Sequence, residues 1–185
     1  MSIIVTLMVF DLKLPAGPWA NVPAEFARLA PHGIAFVASF LIVVTFWLHH
    51  HQMLVVTTHC RRSLLWYNNV LLLTLSFIPF VTAFLGDYPL MPLSGALYGV
   101  VLGLAGASGA LMFRHVAARG MLDPRIPKER CRMILRRYRL APLSYFVGAG
   151  VAFLPHCIWV SYVIYVAILV AFMVPEPLIL EEKES

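Results

Sequence analysis

The sequence predicts an all-α integral membrane protein with six transmembrane helices, the first of them truncated. Three observations carry this. Hydrophobic residues make up 61% of the 185 positions and charged residues only 12%, far short of the roughly one quarter that covers the surface of a soluble domain. The apolar residues gather in runs, most of them near the ~20 residues that cross a hydrocarbon core of about 30 Å. The positive charges gather between those runs. Helices satisfy their own backbone polar groups, so lipid accepts them with apolar side chains facing outward.

The first element covers approximately residues 1–13. Ser2 to Leu12 is apolar apart from Asp11, yet at about 1.5 Å per residue it reaches only ~16 Å. The expectation is either a start upstream of Met1 or a first helix that is half a span. The opening residues lack the basic region and small-residue cleavage site of a signal peptide. Pro15, Gly17, Pro18 and Pro23 then break the chain. The second span is expected at 33–56 and the third at 63–86. Within the third, Pro79 predicts a kink that the hydroxyls of Thr74, Ser76 and Thr82 help to satisfy. Asp87, Tyr88, Pro89 and Pro92 form the next turn. In the fourth span, 93–117, Gly99, Gly103 and Gly106 with Ala107 read as a small-residue packing face. The last two spans, 138–154 and 157–174, are short and turn at Pro155. An acidic tail, 175–185, closes the chain.

Charge sets the orientation. The segment 114–139 holds nine of the fourteen Lys and Arg residues, Arg61 and Arg62 precede the third span, and the loop around Asp87 has none. The positive-inside rule places the basic loop 114–139 and both termini in the cytoplasm, with the Asp87 loop outside. The net charge of +5 therefore reads as topology and contact with the lipid bilayer, not as nucleic-acid binding. A single set of six spans with no recognisable organelle-sorting signal suggests the plasma membrane of a prokaryotic cell.

Several function classes lose support. Cys60, Cys131 and Cys157 are too few and too scattered for a disulfide framework or a zinc site. No acidic residue lies deep in a well-formed span, so a proton relay has no obvious carrier. Glycine-rich phosphate loops and a Ser/His/Asp arrangement are missing from the sequence, as is the Thr-Val-Gly-Tyr-Gly potassium filter. The reading is a protein with no enzymatic activity, no cofactor and no metal.

The histidines require separate treatment. His49, His50 and His51 sit at the inner end of the second span, and consecutive helical positions point about 100° apart, so the three cannot share one metal. They read as interfacial or structural histidines. A haem- or quinone-binding alternative needs histidine pairs facing each other at matched depth, with only His32, His59, His115 and His156 left to serve. Asn68 and Asn69, beside Trp66 and Tyr67, either face headgroups or supply an interhelical hydrogen bond, for instance from Asn68 to His50.

Five strings in order carry a resemblance: Ser2-Ile-Ile-Val-Thr-Leu-Met-Val-Phe-Asp-Leu-Lys-Leu-Pro15, Phe46-Trp-Leu-His-His-His51, Leu65-Trp-Tyr-Asn68, Phe77-Ile-Pro-Phe-Val-Thr-Ala-Phe-Leu-Gly86 and Ala96-Leu-Tyr-Gly99. Over residues 2 to 120 the chain resembles the transmembrane protein 175 family of endosomal and lysosomal potassium channels and their prokaryotic relatives. Beyond that, only the span pattern agrees. The resemblance implies a potassium-selective leak channel, assembled as a homotetramer, whose first helices line a central pore. Carried over by position, the constriction residues are Ile3, Leu7 and Phe10, with Thr6 as a polar pore-facing neighbour. Positions 3, 7 and 10 share one helical stripe, and four copies of it would stack apolar rings able to gate by excluding water. The bland reading of the same stripe is packing or lipid contact. The family also implies an interhelical polar network at Trp47, His50 and Asn68. Its Arg-x-x-x-Phe-Ser-Asp signature, which docks on that network, would precede Ser2 and is absent from this sequence. Phe10 also departs, being larger than the family's usual aliphatic residue. A non-conducting structural or assembly protein of the membrane remains the alternative.

Overall fold

The computed structural model of the protein describes residues 22–173. The expected first span, 1–13, and the acidic tail, 175–185, lie outside the described residues. Six helices follow one another: α1 (Val22–Val55), α2 (Arg62–Ser76), α3 (Ile78–Asp87), α4 (Pro92–Ala118), α5 (Lys128–Val151) and α6 (Ile158–Met173). Among the described residues the only β-pairing is one isolated bridge, Thr57 with Leu122.

Proline placement explains the helix boundaries. Pro23 lies in the first turn of α1, where its missing N–H has no intrahelical partner to lose. Helix α1 therefore begins at Val22, well before the expected 33, and its apolar portion is Leu29–Val55. Pro79 has no N–H to give the Leu75 carbonyl four residues back, the Phe77 N–H turns to the Leu75 and Thr74 carbonyls instead, and the ladder breaks at Phe77 between α2 and α3. The hydroxyls of Thr74 and Ser76 donate to the carbonyls of Leu71 and Leu73 at 2.8 and 2.7 Å, capping the turn before the break. Together α2 and α3 still form one apolar column, Arg62–Asp87. Pro92 starts α4, and Gly120, with φ at +63°, closes it in a left-handed turn.

Three of these columns are long and apolar enough to cross a membrane: Leu29–Val55, Arg62–Asp87 and Pro92–Ala118. Helix α6 is apolar but only 16 residues long, and α5 is apolar only in its second half. The described residues thus supply five helical columns, and the expected six are not reached among them. The basic loop expected at 114–139 is corrected as well. Only the stretch between Ala118 and Lys128 is non-helical, because α5 continues through the charged positions instead of stopping where the apolar run stops.

Helix α4 is the axis of the bundle, packed on by α2, α3, α5 and α6, while α1 lies chiefly on α3. The core combines Leu71, Leu75 and Ile78 with Leu102, Met112, Phe113 and Val116. Small residues let the backbones approach. A Cβ on Gly106 would sit 3.5 Å from Pro142 of α5, and one on Gly99 would fall 3.0 Å from the Tyr145 carbonyl oxygen. Close backbone approach is the main attraction left where lipid removes the hydrophobic driving force.

The two connections on the basic side are zipped together. The Thr58 N–H donates to the Met121 carbonyl and the Asp123 N–H to the Val56 carbonyl, both at 2.9 Å. Nearby, Ser63 Oγ lies 2.8 Å from His115 Nε2, and Tyr67 packs its ring on His115. Outside the spans, the backbone and guanidinium N–H groups of Arg125 donate to Asp123 and hold its carboxyl below the ordinary carboxylate range.

Candidate functional site

The polar side chains available for a site lie between α1 and its neighbours. Near the C-terminal end of α1, His50 Nε2 lies 2.8 Å from Asn68 Oδ1 on α2. The amide oxygen accepts, so the Nε2–H donates, and His50 is held as that tautomer. Asn68 is half-buried and makes no other hydrogen bond among the described residues, so its two amide N–H donors remain available. Trp47 does not join this pair. It is 43% exposed and stacks on His51, one turn along the same helix, at 5.3 Å.

The three consecutive histidines point three ways, as helix geometry dictates. His49 turns into the bundle, where its Nδ1–H donates to the Thr45 carbonyl at 2.8 Å and its ring meets Tyr138 and Phe172. It lines a cavity of about 70 Å³ together with Thr45, Met53, Tyr145 and Phe172. The Arg137 guanidinium lies 4.6 Å above the ring of Phe172, one of the lining residues, and donates to the Ala171 carbonyl. Among the described residues no three His, Cys, Asp or Glu side chains come together as metal ligands.

A second polar cluster sits deeper. Ser39 Oγ lies 2.8 Å from Tyr98 Oη and 2.8 Å from Thr82 Oγ1, and all three residues are buried. It ties α1, α3 and α4 at mid-bundle. Thr82 also bonds the Ile78 carbonyl at 2.7 Å, next to the Pro79 break. Thr74 and Ser108 make a lesser link between α2 and α4 at 3.2 Å. At the far end His32 Nε2 lies 2.9 Å from Asp87 Oδ1. Sequence reasoning singled out Thr82 but missed Ser39 and Tyr98. Their only signal was a hydroxyl inside each of two apolar runs.

These groups hold helices together; they do not form a nucleophile with its base. The predicted constriction residues Ile3, Thr6, Leu7 and Phe10 lie outside the described residues. Of the expected network, the structure joins His50 to Asn68 and leaves Trp47 on His51.

Residues 1–79 match the family described as the endosomal/lysosomal potassium channel TMEM175. Over these residues the chain is similar to the TMEM175 family. The matched residues include both the predicted pore stripe and the His50–Asn68 pair. Full-length comparison agrees with this. The chain is 24% identical to a potassium channel of Chamaesiphon minutus, over 86% of this chain and 81% of that protein. It is 27% identical to a potassium channel of Streptomyces collinus over 82% and 77%, and 27% identical to one from a Chryseobacterium species over 95% and 88%. In fold it matches the crystal structure of a lysosomal potassium-selective channel TMEM175 homolog from Chamaesiphon minutus with a TM-score of 0.80. The two are 21% identical, over 92% of this chain and 89% of that one. The TMEM175 fold is thus shared along nearly the whole length.

The His50–Asn68 bond can be tested directly. Asn68→Leu removes the acceptor and leaves the His50 N–H in an apolar contact, and it is expected to cost about 1 kcal/mol, the scale of an interhelical bond in a bilayer. Asn69→Leu, at an exposed position, is expected to be neutral. Unfolding in a graded denaturing detergent measures both.

Proposed function

We propose that this chain is one subunit of a potassium-selective leak channel, a homotetramer in the plasma membrane of a prokaryotic cell. The observation that carries the reading is the similarity to three proteins named potassium channels, running over 77–88% of their own lengths. The fold shared with the Chamaesiphon channel supports it. Four copies of the first helix would line the pore. Ile3, Leu7 and Phe10 would form its apolar rings, with Thr6 beside them. Selection then rests on pore diameter and on the cost of stripping water from the ion, without a carbonyl filter. The donors of Asn68 on α2 and the fixed His50 on α1 lie side by side, where they can dock polar groups of the first helix. Trp47 completes that surface. The channel needs no cofactor and no catalytic residue. Both termini and the basic connections face the cytoplasm, and the Asp87 turn faces outside.

A flux assay decides the function. Liposomes containing the purified chain and loaded with potassium are expected to release it on addition of a proton ionophore, while protein-free liposomes retain it. Release equally fast with sodium inside would remove selectivity from the reading. An oligomeric, folded preparation with no release of either ion would remove conduction.

A further inference from the structure

The outward face of α5 changes character along a single stripe. Arg132, Arg136 and Arg139 are exposed, and Leu140, Leu143 and Val147 continue the same stripe with exposures of 54%, 59% and 59%. Apart from the adjacent pair Arg139 and Leu140, these positions recur every three or four residues, the period of one helix face. The opposite face is the packed one, with Ile134, Pro142, Tyr145, Gly148 and Ala149 buried. Among the described residues none of the three arginines has a hydrogen-bond or carboxylate partner. The only acidic residue of the helix is Glu129, in its first turn. A solvated helix face would normally intersperse both signs.

We propose that this stripe binds an anionic glycerophospholipid of the leaflet on the side of the basic connections. Arg136 and Arg139 lie about 4.5 Å apart along the axis, so both guanidinium groups can reach one phosphate, and planar donor forks suit phosphate oxygens. Arg132 stands one turn further from the bilayer, for a second anionic group on the headgroup. The acyl chains lie along Leu140, Leu143 and Val147, which enter the hydrocarbon where the arginines end. Charge and apolarity thus match the two halves of one amphiphile, in the order that a lipid presents them. A polyanion in solution could use the first half only. An isologous contact with a second copy of the chain would oppose arginine to arginine, with no carboxylate to compensate. The assignment stands whether or not the protein conducts potassium.

The test is thermal unfolding of the full chain in a neutral detergent, titrated with a short-chain phosphatidylglycerol or with phosphatidylcholine of equal chain length. Binding to the folded state raises Tm with concentration. The wild type is expected to respond to phosphatidylglycerol alone. Arg136→Gln/Arg139→Gln should need about thirtyfold more of it, as expected for two basic residues at an anionic surface. Arg61→Gln/Arg62→Gln removes the same charge from the other connection and should leave the midpoint unchanged. The proposal falls if phosphatidylcholine is as effective, if the Arg61/Arg62 variant weakens binding equally, or if inorganic phosphate reproduces the shift. Should the Arg136/Arg139 variant fail to fold, the wild type still decides. Its midpoint must rise steeply between 50 and 200 mM salt, as about two screened ion contacts require, and a salt-independent midpoint overturns the assignment.

Discussion

Gly99→Ala is expected to destabilise the protein by about 3 kcal/mol, whereas Gly103→Ala should change stability by less than about 1 kcal/mol. Both glycines face α5 and its neighbours, and a Cβ at either meets an aromatic ring at 2.7 Å. What differs is whether the ring can leave. The Phe146 ring that faces Gly103 belongs to a residue 38% exposed on the outer surface of α5, so it can rotate toward lipid. Alanine is the better helix former by about 1 kcal/mol, which offsets that adjustment. The Tyr165 ring that faces Gly99 is buried, its hydroxyl donates to the Gly95 carbonyl at 3.0 Å, and it packs between Tyr98 and Tyr145. A Cβ on Gly148 would strike the same ring at 2.5 Å from the other side. The Tyr145 carbonyl, 3.0 Å from the added carbon, is backbone and cannot swing aside. Thermal unfolding of the two variants in one detergent measures the contrast. Equal losses would mean that the helix interface yields as a whole, not through single side chains.

Ile3→Asn is expected to lower potassium-over-sodium permeability about tenfold, which would move the bi-ionic reversal potential by about 59 mV toward zero. In the proposed pore, four isoleucine side chains form a ring with no oxygen to replace the hydration shell. The ion that holds its water more loosely passes at lower cost, and sodium holds its water more tightly than potassium. Four asparagine amides would supply oxygens and donors at that level and reduce the dehydration cost for both ions. The discrimination shrinks while conductance persists. Voltage clamp of planar bilayers with potassium on one side and sodium on the other reads the result. An unchanged reversal potential would place Ile3 away from the constriction.

The apolar runs made the helical class readable, but they misplaced helix ends in a consistent direction. Glu25, Arg28 and His32 looked like the exterior of a span, and the positions from Lys128 to Arg139 looked like a loop. In the structure all are helical. Hydropathy reports where the hydrocarbon ends, whereas a helix ends where its hydrogen-bond ladder is broken. Where a proline breaks that ladder, as at Pro79, the kink was legible. At the site, His50 with Asn68 was foreseeable because a histidine and an amide fell at matched depth on adjacent spans. Ser39 with Tyr98 was not, because hydroxyls in apolar runs are common and their pairing depends on how α1 crosses α4. For the same reason the glycine stripe announced close packing without naming Tyr165 as its partner.

The bridge between Thr57 and Leu122 has a consequence for synthesis. Its two residues are separated by the whole of α2, α3 and α4, so when α1 and α2 have been made the carbonyl of Val56 and the N–H of Thr58 still lack these partners. Those partners leave the ribosome only after α4 is complete. These two hydrogen bonds therefore form late, after more than half of the chain has been synthesised, and only then does the turn after α4 close on the connection between α1 and α2.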